Sequence, residues 1–231
     1  MLMLSILLAL ALGPAPRGES ATTVIATPTS APRQDAAATY PGLVKEFEAA
    51  VKAWRDELRA LSKTDKAKAE ALEKQHPVSA FWPRFEELGA SDGRALLWML
   101  EEGDKLPGTK SETVATKSRL VAELLEKHAS QPWAGTDLPR ALARQRIWFD
   151  EEWVRTQLDA LATASKSKEV SASALAALAA RLTGKNATPA ELERAKAIEA
   201  RLAAEFAETN AAKAAAEKNA GAKYEKGGVP D

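Results

Sequence analysis

From Tyr40 onward the apolar residues recur every three or four positions and are cut into segments by Gly and Pro, the period of an α-helix with one buried face. The stripe Val44, Phe47, Val51, Trp54, Leu58 and Leu61 predicts a first helix starting near Pro41. Thr39 or Tyr40 stands at its cap, and the proline takes a tolerated first-turn position. Past Ser62 the helix is expected to continue as a solvated Lys/Ala/Glu stretch until His76-Pro77 ends it. Phe81, Trp82, Phe85 and Leu88 then predict a short aromatic helix with Pro83 in its first turn and a stop at Gly89. Asp92 to Glu102 carries Leu96, Leu97, Trp98 and Leu100 and stops at Gly103. Apolar on several sides, it is expected to be the most buried helix.

Thr109 and Glu112 have the Thr-x-x-Glu form of a capping box, and Val114, Val121, Leu124 and Leu125 follow as a stripe to about His128. Asp137 can cap a short helix through Arg144, and Asp150, Glu151 and Glu152 suit the positive dipole end of the next, whose inward residues are Trp153, Val154, Leu158 and Leu161. A further helix spans Ser167 to Leu182, with Gly184 behind it. Thr188, Pro189 and Glu191 give the cleanest start signal in the chain, leading the stripe Leu192, Ala195, Leu202 and Phe206. Residues 211–231 are Ala/Lys-rich with nothing to bury, so this tail is expected to fray. The pattern thus predicts an all-α fold of seven or eight helices over 40–210. Their unequal lengths favour an irregular stack of helical hairpins over the alternative, a closed helical bundle.

Composition agrees with that pattern: 49 Ala stand against 9 Val and 4 Ile in 231 residues, a balance that favours helix over sheet. The 32 basic residues equal the 32 acidic ones, so the chain has no cationic surplus with which to displace the counterions of a nucleic acid. It contains no Cys, which removes disulfides, thiolate metal sites and thiol catalysis. Leu2 to Leu12 is an eleven-residue apolar run, too short to span a bilayer, which takes about 20 apolar residues. Its position suits a secretory signal over 1–21, and the Thr/Ala/Pro-rich residues 22–39 read as a disordered spacer, with no stable membrane span once the signal is cleaved. The expected location is therefore outside the cytoplasm, periplasmic or extracellular.

Candidate chemistry is sparse. His76 and His128 both fall beside Pro-containing loops, outside any His-x-x-x-His spacing, and read as helix-end residues rather than ligands. The pairs Glu86/Glu87, Glu101/Glu102 and Glu151/Glu152 are neighbours on helices and point about 100° apart, so neither member faces the other across a cleft. No catalytic residue, metal site or cofactor is expected. An interaction surface is the candidate that remains: Trp82 and Trp133, beside prolines in or near loops, mark it, and Arg140, Arg144 and Arg146 beside Trp148 suit an anion or an acidic partner. Trp54, Trp98 and Trp153, on apolar stripes, are expected in the core.

Trp82-Pro83-Arg84-Phe85-Glu86-Glu87-Leu88, Ala95-Leu96-Leu97-Trp98, Leu124-Leu125-Glu126-Lys127-His128 and Glu169-Val170 leading into Ala174-Leu175-Ala176-Ala177-Leu178 resemble, in order and rough spacing, the helical N-terminal region of secreted bacterial thioredoxin-like redoxin proteins. The resemblance runs from Tyr40 to Asn210 and rests on helix-packing residues. In that family it implies a following domain with a Cys-x-x-Cys site. Here the residues Gly227-Gly228-Val229-Pro230-Asp231 look like the lead-in to such a domain, and no catalytic residue carries over. The expected function is an exported, non-catalytic helical scaffold or protein-interaction module with a partner in the cell envelope. The alternative is the helical accessory half of a thiol-disulfide oxidoreductase.

Overall fold

A computed structural model describes the backbone of residues 39–225 and the side chains of residues 39–217. The expected leader (1–21) and all but the last residue of the expected spacer (22–39) lie outside the described residues. Every regular element among those described is helical: α1 (Tyr40–Thr64), α2 (Lys66–Glu73), α3 (Val78–Gly89), α4 (Gly93–Glu102), α5 (Lys110–Glu123), α6 (Ala134–Arg144), α7 (Glu151–Ala164), α8 (Lys168–Leu182), α9 (Pro189–Glu205) and α10 (Asn210–Glu225). Short 3₁₀ turns follow α4 and α6, and α5 runs into a π turn, Leu124–His128.

The protein is an all-α helical stack in which chain neighbours pair: α1 with α2, α3 with α4, α7 with α8, α8 with α9. Helix α8 is the hub, packing on α6, α7, α9 and α10. Its small side chains allow this. Ser171, Ala172, Ala174 and Ala179 are buried beside Val170, Leu175, Leu178 and Leu182, so helices approach it from several sides. Helix α4 is buried from Ala95 through Leu100 without a gap, as its apolar run implies.

The start signals act as the residues dictate. Thr39 Oγ1 accepts from the Gly42 N–H, and Asp92, Asp150 and Ser167 cap α4, α7 and α8. Thr109/Glu112 and Thr188/Glu191 form complete capping boxes.

Five elements differ from the sequence reading. The first helix does not run on to Gln75: at Asp65 the backbone leaves the helical basin (φ −150°, ψ 90°), and the Asp65 carboxylate accepts from the Lys68 N–H to start α2. The chain then folds back, burying Ala69 and letting Trp54 Nε1 donate to the Leu72 carbonyl at 3.0 Å. Helix α3 starts at Val78, because His76 Nδ1 accepts the Val78 N–H at 3.2 Å; Pro83 therefore lies in the second turn rather than the first. Helix α6 starts at Ala134, so Asp137 is not its cap but sits within its first turns, paired with Arg140. Leu192 is not inward: it is 40% exposed, and Ile198 takes the buried place on α9. The start of the expected tail (211–231) does have a partner. Glu169 of α8 accepts from the Asn210 and Ala211 N–H groups at 3.1 and 3.2 Å, which anchors the start of α10 on α8 and buries Ala212.

Candidate interaction groove

An aromatic cluster joins α1, α3 and α4. Phe85, fully buried, stacks on Trp98 with ring centroids 3.6 Å apart and planes at 11°. Phe47 meets the same indole edge-on at 4.8 Å, Phe81 meets Phe47 at 5.5 Å, and Tyr40 meets Phe85 at 6.4 Å. Such geometries set the negative ring faces against positive edges and hold the rings in place. Phe47 and Trp98 are thereby fixed at the floor of a groove of about 500 Å³ that runs along α1, open on its solvent side, with Val44 and Val51 completing the floor.

The groove has two ends of different chemistry. Beyond Val51 its walls carry Lys52, Arg55 and Arg59 from α1 and Lys105 from the 3₁₀ turn after α4, with Asp56 and Glu102 among them, and Glu48 lies beside Phe47 in the apolar part. Asp56 is held by Arg59 at 3.4 Å and Glu102 by Lys105 at 2.5 Å. Exposed Lys52 and Arg55 have no carboxylate within ion-pair distance among the described residues. This face recurs at steps of three and four over residues 44–59, which is about 22 Å of helix at 1.5 Å per residue.

Two buried polar side chains pack against α4. Lys117 of α5 is 2% exposed; its Nζ donates to the Leu100 carbonyl near the C-terminus of α4 at 2.5 Å and lies 5.8 Å from the Trp148 ring centroid. Burial pushes its pKa down, while Asp104, Glu101 and Glu102 act the other way. The side chain thus supplies the positive charge that a helix C-terminus favours. Its sequence context, Thr-Lys-Ser at a solvated-looking position, hides this role; only the phase of the Val114-Val121 stripe places it near the inward side. His128, 7% exposed in the π turn, lies against Gly93 at the start of α4 with Nε2 unpartnered.

His76 is also at a helix end, though not at the end of a long first helix as its position suggests. It accepts at the start of α3, sits edge-on to Trp54 at 4.9 Å, and burial together with Lys105 and Arg55 lowers its pKa. A neutral imidazole is the form that can accept the Val78 N–H.

The residues of the expected interaction surface each have their own nearest partners. Trp82 is half-buried, tilted against Trp98 at 6.5 Å, and Trp133 is half-buried at the start of α6. Arg140 pairs with Asp137 at 3.1 Å and borders a second groove of about 430 Å³ lined mainly by alanines of α6, α8 and α10. Arg144 reaches Glu101 of α4 at 3.1 Å, whereas Arg146 is exposed without an ion pair among the described residues. Trp148 covers Lys117 instead of joining them. Beside Arg146, Ile147 is 77% exposed. Of the expected core tryptophans only Trp98 is buried; Trp54 is half-buried, and so is Trp153, stacked on Phe149 at 3.7 Å.

The paired glutamates serve separate partners: Glu86 binds Arg119, Glu101 binds Arg144, and Glu151 binds Arg181. Arg181 also donates to the Ala143 carbonyl, and Arg155 bridges Glu191 and the Arg181 carbonyl, tying α7, α8 and α9 together. Among the described residues no group of three or more His, Asp or Glu side chains is placed to hold a metal, and no helix is long and apolar enough to cross a membrane.

The described residues define an all-α helical stack with a groove along α1 that joins an apolar floor to charged walls. Compared with protein-family models, curated proteins and solved structures, the chain finds no match.

Proposed function

We propose that this chain is an exported, non-catalytic helical scaffold that docks a partner protein of the cell envelope along the α1–α4 groove. The observation that carries the reading is the groove along α1, floored by Phe47, Val51 and Trp98 and flanked by Lys52 and Arg55, which have no carboxylate within ion-pair distance among the described residues. Large apolar side chains held rigidly at a groove floor and rimmed by charge are the anchors of protein interfaces. The dispersal of His, Glu and Arg side chains into helix caps and ion pairs supports a scaffold rather than an enzyme.

The test is a photo-crosslinkable residue at Glu48 in the groove, with Ala197 on the exposed side of α9 as control, introduced in the cell that makes the protein. The reading expects a discrete protein adduct from position 48 and none from position 197. Equal labelling from both positions, or none from position 48, overturns it. An adduct to a Cys-x-x-Cys redoxin protein would favour the alternative reading of a helical accessory half of a thiol-disulfide oxidoreductase.

A further inference from the structure

We propose that His76 is an acid-sensitive latch: its neutral imidazole holds the joint between α2 and α3 closed, and uptake of one solvent proton releases α2 from α1 while the rest of the helical stack stays folded. The proposal is independent of the docking reading. The joint consists of Lys74 to Pro77, and α3 leaves it without a cap from Pro77, the residue at its N-cap position. His76 supplies the missing acceptor, its Nδ1 taking the Val78 N–H at 3.2 Å. The same ring packs on α1, with its centroid 4.9 Å from that of Trp54 and 6.3 Å from that of Phe47. One side chain thus joins the start of α3 to the middle of α1.

Helix α2 depends on that joint. It has eight residues, too few for a helix to be stable alone, buries only Ala69 and packs chiefly on α1. Trp54 Nε1, donating to the Leu72 carbonyl at 3.0 Å, is the side-chain hydrogen bond that ties it there. A segment with so few buried contacts opens locally at a much smaller cost than unfolding the whole body.

Protonation of Nδ1 undoes the joint in two ways. The imidazolium has two N–H donors and no acceptor, so the Val78 N–H loses its partner and meets another donor. The new charge also stands at the N-terminus of α3, the end of the helix dipole that disfavours cations. Burial lowers the His76 pKa most; Lys105 and Arg55 act the same way, while Glu102, already engaged by Lys105, and Asp104 oppose them. Glu73 and Lys74 at the end of α2 are exposed, and the charged residues of α3 begin only at Arg84, more than a turn along the helix. A base whose pKa is lowered in the closed state contributes its full stabilisation above its ordinary value of 6.5 and loses it as pH falls from there toward the closed-state value.

The experiment is amide hydrogen exchange on the full chain between pH 7.5 and 5, corrected for intrinsic exchange rates, with the His76 ring titrated by NMR. Asp65, the cap of α2, stays ionised over this range, since the Lys68 N–H holds its carboxyl below the ordinary value. The latch predicts a His76 midpoint below 6.5 and, on acidification, a loss of protection from Lys66 to Val78 of about threefold or more, with α8 unchanged. His76→Asn keeps an acceptor for the Val78 N–H at every pH, as in an Asx turn, so its α2 stays protected at pH 5. His76→Ala has neither acceptor nor charge, so its α2 is as open at pH 7.5 as at pH 5. A midpoint at or above 6.5, unchanged protection in the parent chain, an acid-induced loss that survives in either variant, or a loss spread equally over α2 and α8 overturns the proposal.

Discussion

Replacing Phe85 by alanine tests the packing that holds the groove floor in place. The ring is fully buried, stacked on Trp98 at 3.6 Å and met edge-on by Tyr40 at 6.4 Å. Its removal forfeits the transfer free energy of a buried aromatic side chain and leaves a cavity bounded by rings of α1 and α4, helices that cannot both collapse into it. Phe→Ala changes of this type cost about 3–5 kcal/mol. Phe85→Leu keeps most of the apolar volume and loses chiefly the stacked pair, worth about 0.5–1.5 kcal/mol. The two variants therefore separate cavity from stacking. Urea unfolding followed by circular dichroism measures both. For a body of this size each kcal/mol shifts the melting temperature by about 2–4 °C, so Phe85→Ala should melt roughly 6–20 °C lower and Phe85→Leu only a few degrees lower. A loss below about 2 kcal/mol for the alanine variant, or equal losses for the two, would refute the claim that this ring supports Trp98.

Lys117 has its folded-state pKa lowered by burial, so between that value and the unfolded value near 10.4 the unfolded chain holds more protons and stability rises with pH. Lys117→Met should abolish that alkaline rise in urea unfolding measured from pH 7 to 10.5, and an unchanged slope counts against a buried cation at this site. Glu191 accepts from the Thr188 N–H and from Arg155, which brings its pKa down to about 2; its contribution is complete above the unfolded value near 4.5 and is lost as pH falls toward 2. Glu191→Gln should flatten the acid limb of the stability curve, and Thr188→Ala should cost about 1 kcal/mol through the lost cap, both read by thermal melts at pH 2.5 to 7. Gly93→Ala places a Cβ 2.4 Å from His128 Cγ, so the buried imidazole must shift; the expected loss is about 1–3 kcal/mol, and a stabilised variant would show that the π turn yields freely.

The sequence by itself determined the helical class and most helix starts. An apolar period of three to four, abundant alanine and the Thr-x-x-Glu boxes at Thr109 and Thr188 act through bonds within one helical turn, where nothing distant can overrule them. The buried run Ala95 to Leu100 was legible for the same reason: a segment apolar on all sides has to be covered.

Only the tertiary structure decided what depends on groups far apart in the chain. Asp65 ends α1 because α2 can fold back against Trp54, and α10 holds because Glu169, about forty residues earlier, receives its first N–H groups. Lys117 is buried because the end of α4 offers the Leu100 carbonyl and Trp148 closes over it. Arg140 and Arg144, one turn apart on α6, pair with Asp137 of the same helix and with Glu101 of α4, while Arg146, past the end of α6, is exposed without an ion pair among the described residues, since each meets whatever neighbour the fold brings. The candidate groove has the same origin. Its floor joins Phe47 to Trp98 across some fifty residues, and its free cations stand out only once Asp56 and Glu102 are seen to be occupied by Arg59 and Lys105.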